Sequence, residues 1–369
     1  MKNFRLLFFL LPVLVFSQEN KTQYSIDLNY YYSSILPHSE KIKHLITEHP
    51  EGLFLAVNQK TFGDKEWESR FNYPDFGISF HYQNNKNETL GDMYGLFFHY
   101  NFYFLKRNLM LRIGEGVAYN TNPYDKEKNY RNVAYSTHFM PSSYFMLDYK
   151  KENIFDGFGL QAGAFLIHHS NGTMKSPNTS TNTVGANIGL NYVFDHKNER
   201  NYIPALRQVQ HGHDSAYSEP VHYNLAFRSG VQESRVIGTG QYPFYFISAY
   251  ADKRFSRSSD VQAGVDVFIS PMYKNEIEYM AVAFPELDVD PDLNSTRVGL
   301  FAGYELFINR LSFEGQLGFY VWDEYQANTA LYQRLGLKYY FYKNLFAGAS
   351  LKTHFSKAEA MEFSVGIRL

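Results

Sequence analysis

The sequence predicts an all-β protein: a transmembrane antiparallel β-barrel of about 12 to 16 strands, sixteen when parsed directly, an even number as single-chain barrels require. Three observations carry the prediction. Segments of about ten residues alternate between an apolar row and a row of Gly, Ser, Asn and charged side chains, the period of a strand with two unlike faces. Aromatics make up 18% of the chain, with 31 Tyr and 33 Phe, although the hydrophobic content is an ordinary 44%. The links between alternating segments are short and long by turns, as in barrels with tight periplasmic turns and longer external loops. Beyond residue 18 no stretch approaches the ~18 uninterrupted apolar residues of a helical span. Alternation does not say which row faces outward; closure and the aromatic enrichment favour placing the apolar row against lipid.

Taken in order, the chain begins with Lys2 and Arg5 ahead of an apolar run over 6–16 that ends at Ser17 and Gln18. That is the pattern of a cleaved secretory signal, 1–18, leaving 19–369 as a single outer-membrane barrel domain. Tyr24, Ile26, Leu28, Tyr30 and Tyr32 then oppose Ser25, Asp27 and Asn29. Residues 37–50 break the alternation: Ser39 is placed to cap a short helix carrying Ile42, Leu45 and Ile46, an expected external lid. Phe76, Ile78, Phe80 and Tyr82 oppose Gly77, Ser79, His81 and Gln83, and a short link at 105–108 leads to Leu111 and Ile113. Glu115 keeps their parity between Gly114 and Gly116. Long polar loops are expected at 120–138, 171–182, 273–295, 322–329 and 355–360, and short ones at 150–156, 255–260, 308–310 and 342–344.

The polar stretch 195–220 falls on the side of the short turns and is unusually long for it. It contains His211-Gly212-His213-Asp214, which offers metal-ligand side chains but no fourth ligand, so it reads as a solvated loop. Alternation resumes with Val261, Ala263, Val265, Val267 and Ile269, then Val298 to Leu306, Leu311 to Val321 and Leu331 to Phe341. The final run, Met361, Phe363, Val365, Ile367 and Leu369, resembles the terminal strand used as an outer-membrane assembly signal. On the polar rows, Arg112, Arg228, Arg297, Arg334, Lys338 and Arg368 with Asp27, Asp148, Asp266, Glu305 and Glu314 are expected to form ion networks in the lumen.

Formal charge is −2, which supplies no basic patch for nucleic acid, and the absence of cysteine excludes disulfides and thiolate metal sites. No phosphate-binding glycine loop is visible, and neither a metal nor a cofactor is expected. Oligomeric state is not legible.

The stretch that carries chemistry is 160–194. Leu160, Ala162, Ala164 and Leu166 form one apolar row that continues into His168 and Ser170, a base and a hydroxyl pointing the same way. Twelve residues after Ser170, Asn182 opens a second row with Val184, Ala186, Ile188, Leu190, Tyr192 and Phe194. If the two runs are neighbouring strands, Asn182 can orient the imidazole through its carbonyl, as Asn does in Cys-His-Asn sites. Asn171, Gly172 and Asn178 are candidate oxyanion donors or positioning groups, and Glu115 is an alternative acid. His169 has lumen parity and reads as structural.

His168-Xaa-Ser170-Asn171, followed by Lys175, Pro177-Asn178 and a lipid-facing strand, resembles the lipid A 3-O-deacylases of Gram-negative outer membranes. The resemblance covers about 160–194. It implies a barrel with a Ser-His-Glu triad on its outer wall, His168 as base, Ser170 as nucleophile and Asn178 at the oxyanion; the family's Glu falls on Asn182. Members of that family are shorter, eight-stranded barrels, so the extra strands here have no counterpart in that resemblance. The expected function is an outer-membrane serine esterase that hydrolyses acyl esters of lipid A, with lipopolysaccharide as its substrate. The rival is a non-catalytic channel or surface-binding barrel; a phospholipase is a third reading.

Overall fold

The computed structural model describes residues 22–198, 200–204, 217, 219–355 and 357–369. The expected signal sequence and His211-Gly212-His213-Asp214 lie outside them. Eight strands come first: β1 (Tyr24–Ile35), β2 (Glu51–Gln59), β3 (Asp75–Asn84), β4 (Met93–Phe104), β5 (Leu109–Asn120), β6 (Phe139–Phe155), β7 (Phe158–His169) and β8 (Thr181–Val193). Eight more follow: β9 (Val221–Glu233), β10 (Gln241–Ser256), β11 (Ser259–Ile269), β12 (Arg297–Phe307), β13 (Leu311–Trp322), β14 (Leu331–Tyr342), β15 (Leu345–His354) and β16 (Lys357–Arg368). Alternation predicted this total.

The sixteen strands close as two rings of eight, not as one. β8 returns to β1, from Ser25 opposite Val193 to Ile35 opposite Thr183, and β16 returns to β9, from Phe363 opposite Ser229 to Arg368 opposite Asn224. The expectation of one continuous barrel over 19–369 is thereby corrected. Local alternation is the same in either closure, and only the pairing of strands distant in sequence distinguishes them. The long polar stretch on the short-turn side now has a role: 194–220 is the connection between the rings.

The apolar rows face outward in both barrels. In β1, Leu28 is 48% exposed while Asp27 and Asn29 are 0%. An eight-stranded ring is just wide enough for its interior to be filled by side chains. In the first barrel Arg112 pairs with Asp27, Lys150 Nζ lies 3.0 Å from Asp27, and Arg112 Nε donates to Asn101 at 2.7 Å. In the second, Arg334 bridges Asp266 (2.9 Å) and Glu362 (2.7 Å), and Lys338 bridges Glu305 and Glu314 (both 2.7 Å). Asp148 is bonded in the first lumen by Asn187 Nδ2 (3.0 Å) rather than by a cation, and Arg368 pairs with Asp252 at the short-turn end. The inward charges read from the sequence are therefore lumen networks, and the lumens are packed.

The long-loop ends are capped. Residues 37–50 fold as the predicted lid: Ser39 accepts the Lys41 N–H at 3.3 Å, and a 3-10 turn Glu40–Leu45 buries Ile42 and Leu45 against Leu90, Met93, Tyr135 and Met140. Helix α1 (Glu66–Arg70), which alternation did not reveal, sits between β2 and β3. Helix α2 (Pro271–Ala283) occupies the predicted 273–295 loop and buries Met272, Tyr273 and Ile277. The expected long loop at 355–360 is instead a tight turn, because β16 begins at Lys357 and pairs back to β15 at His354. Of the polar residues there, Glu359 faces the lumen.

Candidate active site at the long-loop end of the first barrel

β7 and β8 are neighbouring antiparallel strands, and their register sets His168 directly opposite Asn182. Opposed residues in such a pair point to the same face. The imidazole Nδ1 and the Asn182 Oδ1 lie 2.7 Å apart. A carbonyl oxygen only accepts, so Nδ1 carries the proton and Nε2 is left with a lone pair, the form required of a general base. Both side chains are half-buried and end the outward rows of Leu166 and Val184.

Ser170 lies one residue beyond β7, where the chain turns into the loop 170–180. Its hydroxyl oxygen accepts two hydrogen bonds, from the Gly172 backbone N–H at 3.1 Å and from Asn178 Nδ2 at 2.9 Å. Two expected oxyanion donors thus converge on the expected nucleophile. Gly172 adopts φ +60, a left-handed conformation that folds its N–H back toward Ser170. Asn171 plays a different part from its neighbours: it is fully buried, its Nδ2 donates to Ser136 Oγ and to the Lys175 carbonyl, both at 2.8 Å, and its N–H donates to Asn178 Oδ1 at 3.2 Å. It therefore aims Asn178 instead of facing Ser170 itself. Among the described residues no hydrogen bond joins His168 to Ser170.

His169 points into the lumen, where its Nδ1 meets Ser142 Oγ at 2.8 Å, as its parity requires. Glu115 is exposed on the outer wall of β5 and opposes Ser143 of β6, which in turn opposes His168. Glu115 is therefore two strands from the imidazole, about 10 Å at the usual strand spacing. It makes no hydrogen bond to the imidazole among the described residues. Ser143 is a hydroxyl beside His168 that sequence reasoning passed over; its parity with Phe145, Leu147 and Tyr149 was the available signal. Also unforeseen are the carbonyl of Pro141, which accepts the Ser170 N–H at 3.4 Å, and His38, whose Nε2 lies 3.0 Å from the Thr179 carbonyl.

The loop is held from the first barrel's side by Thr179 N–H to the Val133 carbonyl (3.0 Å), Ser180 N–H to Ala134 (3.1 Å) and Ser136 Oγ to Lys175 (2.7 Å). Among the described residues no group of His, Asp and Glu is arranged to hold a metal ion.

Residues 51–191, covering β2 to β8, match the sequence profile of the lipid A 3-O-deacylase (PagL) family. Residues 221–369, which are β9 to the end of the chain, match that of the acyloxyacyl hydrolase C-terminal domain. The boundary between the two matches falls where the first ring ends and the second begins. No curated protein matches the sequence. Among solved structures, a double mutant of the Rhodopseudomonas blastica porin is 10% identical, covering 95% of this chain and all of the porin at a TM-score of 0.20. A triple mutant of the same porin is 9% identical over the same shares, also at 0.20. Superpositions this loose bear on neither fold nor function.

Proposed function

Through its first barrel the chain belongs to the lipid A 3-O-deacylase family, and from that premise we propose that Ser170, activated by His168, hydrolyses an acyl ester of lipid A. The family and the barrel fold point to the outer membrane of a Gram-negative bacterium, with lipopolysaccharide as the substrate. The observation that carries the residue assignment is the convergence of Gly172 N–H and Asn178 Nδ2 on Ser170 Oγ. Two fixed donors that converge on one oxygen position make a site for an oxyanion.

In this reading, substrate enters sideways from the outer leaflet along the apolar wall of β6 to β8. Ser170 turns about χ1 from the two donors toward His168 Nε2, and the acyl carbonyl oxygen takes its place between them. Staggered rotamers differ by about 120°, so the turn needs no backbone movement. The Ser170 oxygen bonds to the carbonyl carbon as its proton passes to Nε2, and the tetrahedral oxyanion is held by Gly172 and Asn178. The sugar–oxygen bond to the acyl carbon then breaks, and the departing oxygen takes the proton from His168. Water repeats the sequence, releasing the fatty acid and restoring Ser170.

Asn182 holds the imidazole in the productive tautomer but contributes no negative charge to the imidazolium, so each proton transfer is less stabilised than in a triad with a carboxylate. The test is mass spectrometry of lipid A from cells expressing wild type, Ser170→Ala or His168→Ala at equal levels in the outer membrane. Wild type is expected to yield a species lacking one acyl chain, and both variants the intact lipid. Indistinguishable profiles in all three would refute the assignment, and a change confined to glycerophospholipids would make the enzyme a phospholipase.

A further inference from the structure

The oxyanion loop is fastened to the second barrel as well as to the first. The Thr173 carbonyl accepts the Glu233 N–H at 3.0 Å, and Thr173 Oγ1 donates to the Glu359 carbonyl at 2.5 Å. Gln241 Nε2 donates to the Met174 carbonyl at 2.7 Å, and Ser176 Oγ to the Ser234 carbonyl at 2.6 Å. At the centre is the Glu233 side chain, only 7% exposed at the end of β9. One carboxylate oxygen accepts the Ser176 N–H at 2.8 Å, while the other accepts the N–H groups of Gly238 (3.2 Å) and Gly240 (3.4 Å) in its own hairpin loop. Among the described residues it has no cationic partner. A buried carboxylate without a counter-ion is costly unless its lone pairs are filled by donors, and here one of those donors belongs to the other barrel. Gly172 completes the contact: a Cβ there would come within 3.0 Å of Met361 Cβ, on the outer wall of β16.

We infer that the second barrel is part of the catalytic apparatus of the first, with Glu233 as the positioning residue that sets the spacing of Gly172 and Asn178 around Ser170. The inference rests on the deacylase reading for its kinetic consequence but not for its mechanical one. The segment 172–178 contains both donors and has no regular secondary structure of its own. Its N-terminal end is fixed by β7 and its C-terminal end by β8; between them the first barrel holds the Lys175 carbonyl through Ser136 and Asn171, while Thr173, Met174 and Ser176 are met by the β9–β10 hairpin and the start of β16. Misplacing an oxyanion donor by about 1 Å costs on the order of 100-fold in rate, so a clasp of this kind matters to turnover before it matters to folding. Donors that act mainly in the transition state change kcat and leave KM nearly alone.

The test uses the full-length protein in detergent with lipid A. In Glu233→Ala, amide exchange across 171–180 is expected to quicken about tenfold while the strands of both barrels keep their protection. Its kcat is expected to fall about 10- to 100-fold at unchanged KM. Glu233→Gln, which retains one acceptor oxygen, should fall between it and wild type. Arg257→Ala, which removes the contact to Glu66 (2.9 Å) at the opposite end of the same interface, should leave both readouts unchanged. Unchanged exchange in a folded Glu233→Ala overturns the inference, as does faster exchange with wild-type kcat. An equal loss in Arg257→Ala also overturns it, by showing that barrel docking in general and not Glu233 is responsible. A wild type inert on lipid A, alongside faster exchange in Glu233→Ala, would remove the deacylase reading and leave the clasp supported.

Discussion

By the resemblance read from the sequence, Asn182 falls where a Ser-His-Glu triad carries its Glu, and the physical consequence is specific. The 2.7 Å contact to His168 Nδ1 fixes tautomer and ring orientation, the two geometric duties of an orienter. What it cannot do is offset the positive charge that, in the mechanism proposed above, appears on the imidazole when Ser170 loses its proton. Hydrogen bonds to charged groups contribute about 1.5–3 kcal/mol against about 0.5–1.5 for neutral ones, a difference of roughly one factor of ten in rate. Asn182→Glu is therefore expected to raise kcat about tenfold, measured as initial rates of fatty-acid release. Asn182→Leu should lower it by at least that factor, since the ring is then free to adopt the wrong tautomer. A drop in Asn182→Glu would show that some other acid already faces the imidazole. Glu115 is poorly placed for this, because Ser143 stands between it and His168 on the intervening strand.

At the scale of the element, each strand carries two unlike rows, and the inward row of one strand is completed by those of others across the ring. Asp27 of β1 is held by Arg112 of β5, Lys150 of β6 and Asn58 of β2, all fully or almost fully buried. Such a network is less a source of net stability than a constraint on closure, since leaving one of its charges unpaired costs about 3–5 kcal/mol. Arg112→Met, after which Asp27 keeps Lys150 and Asn58, is expected to destabilise the first barrel by up to about that amount, read as a lower unfolding midpoint in denaturant with the second barrel's transition unaffected. A midpoint within error of wild type would mean that the lumen admits water to replace the guanidinium. The lid belongs to this scale too: Ile42 and Leu45 close the long-loop end of the ring, and Asn87 Nδ2 holds the turn through the Leu45 carbonyl at 2.9 Å.

For the whole molecule, two rings of eight strands place His168 and Asn182 on an outer wall and, among the described residues, fill their interiors with buried side chains. Arg112, Arg228 and Arg334 are among the largest side chains with no exposure at all, and each lies inside a ring. A channel would need those positions to be wet. Reconstituted in planar bilayers, the protein is expected to show no steady ohmic conductance. Stable conductance steps would instead restore the reading of a selective pore. In the clasp proposed above, the second ring anchors Thr173, Met174 and Ser176 of a loop that the first ring holds at its ends and at Lys175.

The period-two rows made much of this legible in the chain alone. They set the strand total, the side on which His168, Ser170 and Asn182 fall, the inward parity of His169, and the charged residues that meet in the lumens, because in a strand the side-chain direction follows from position and nothing else. The rows did not disclose which face is outer, α1, or the tight turn that replaces the expected 355–360 loop. Ring closure was also out of reach, since β8 would pair equally well in a larger ring and its partner β1 is more than a hundred residues away. The clasp at Glu233 belongs to the same class: it arises where loops from distant parts of the chain meet, and no local period records which loops those are, whereas the two donors on Ser170 Oγ come from its own loop and were named from the sequence. Sequence determined what each strand presents; tertiary pairing decided that the strands form two barrels and that the second contacts the loop 170–180 of the first.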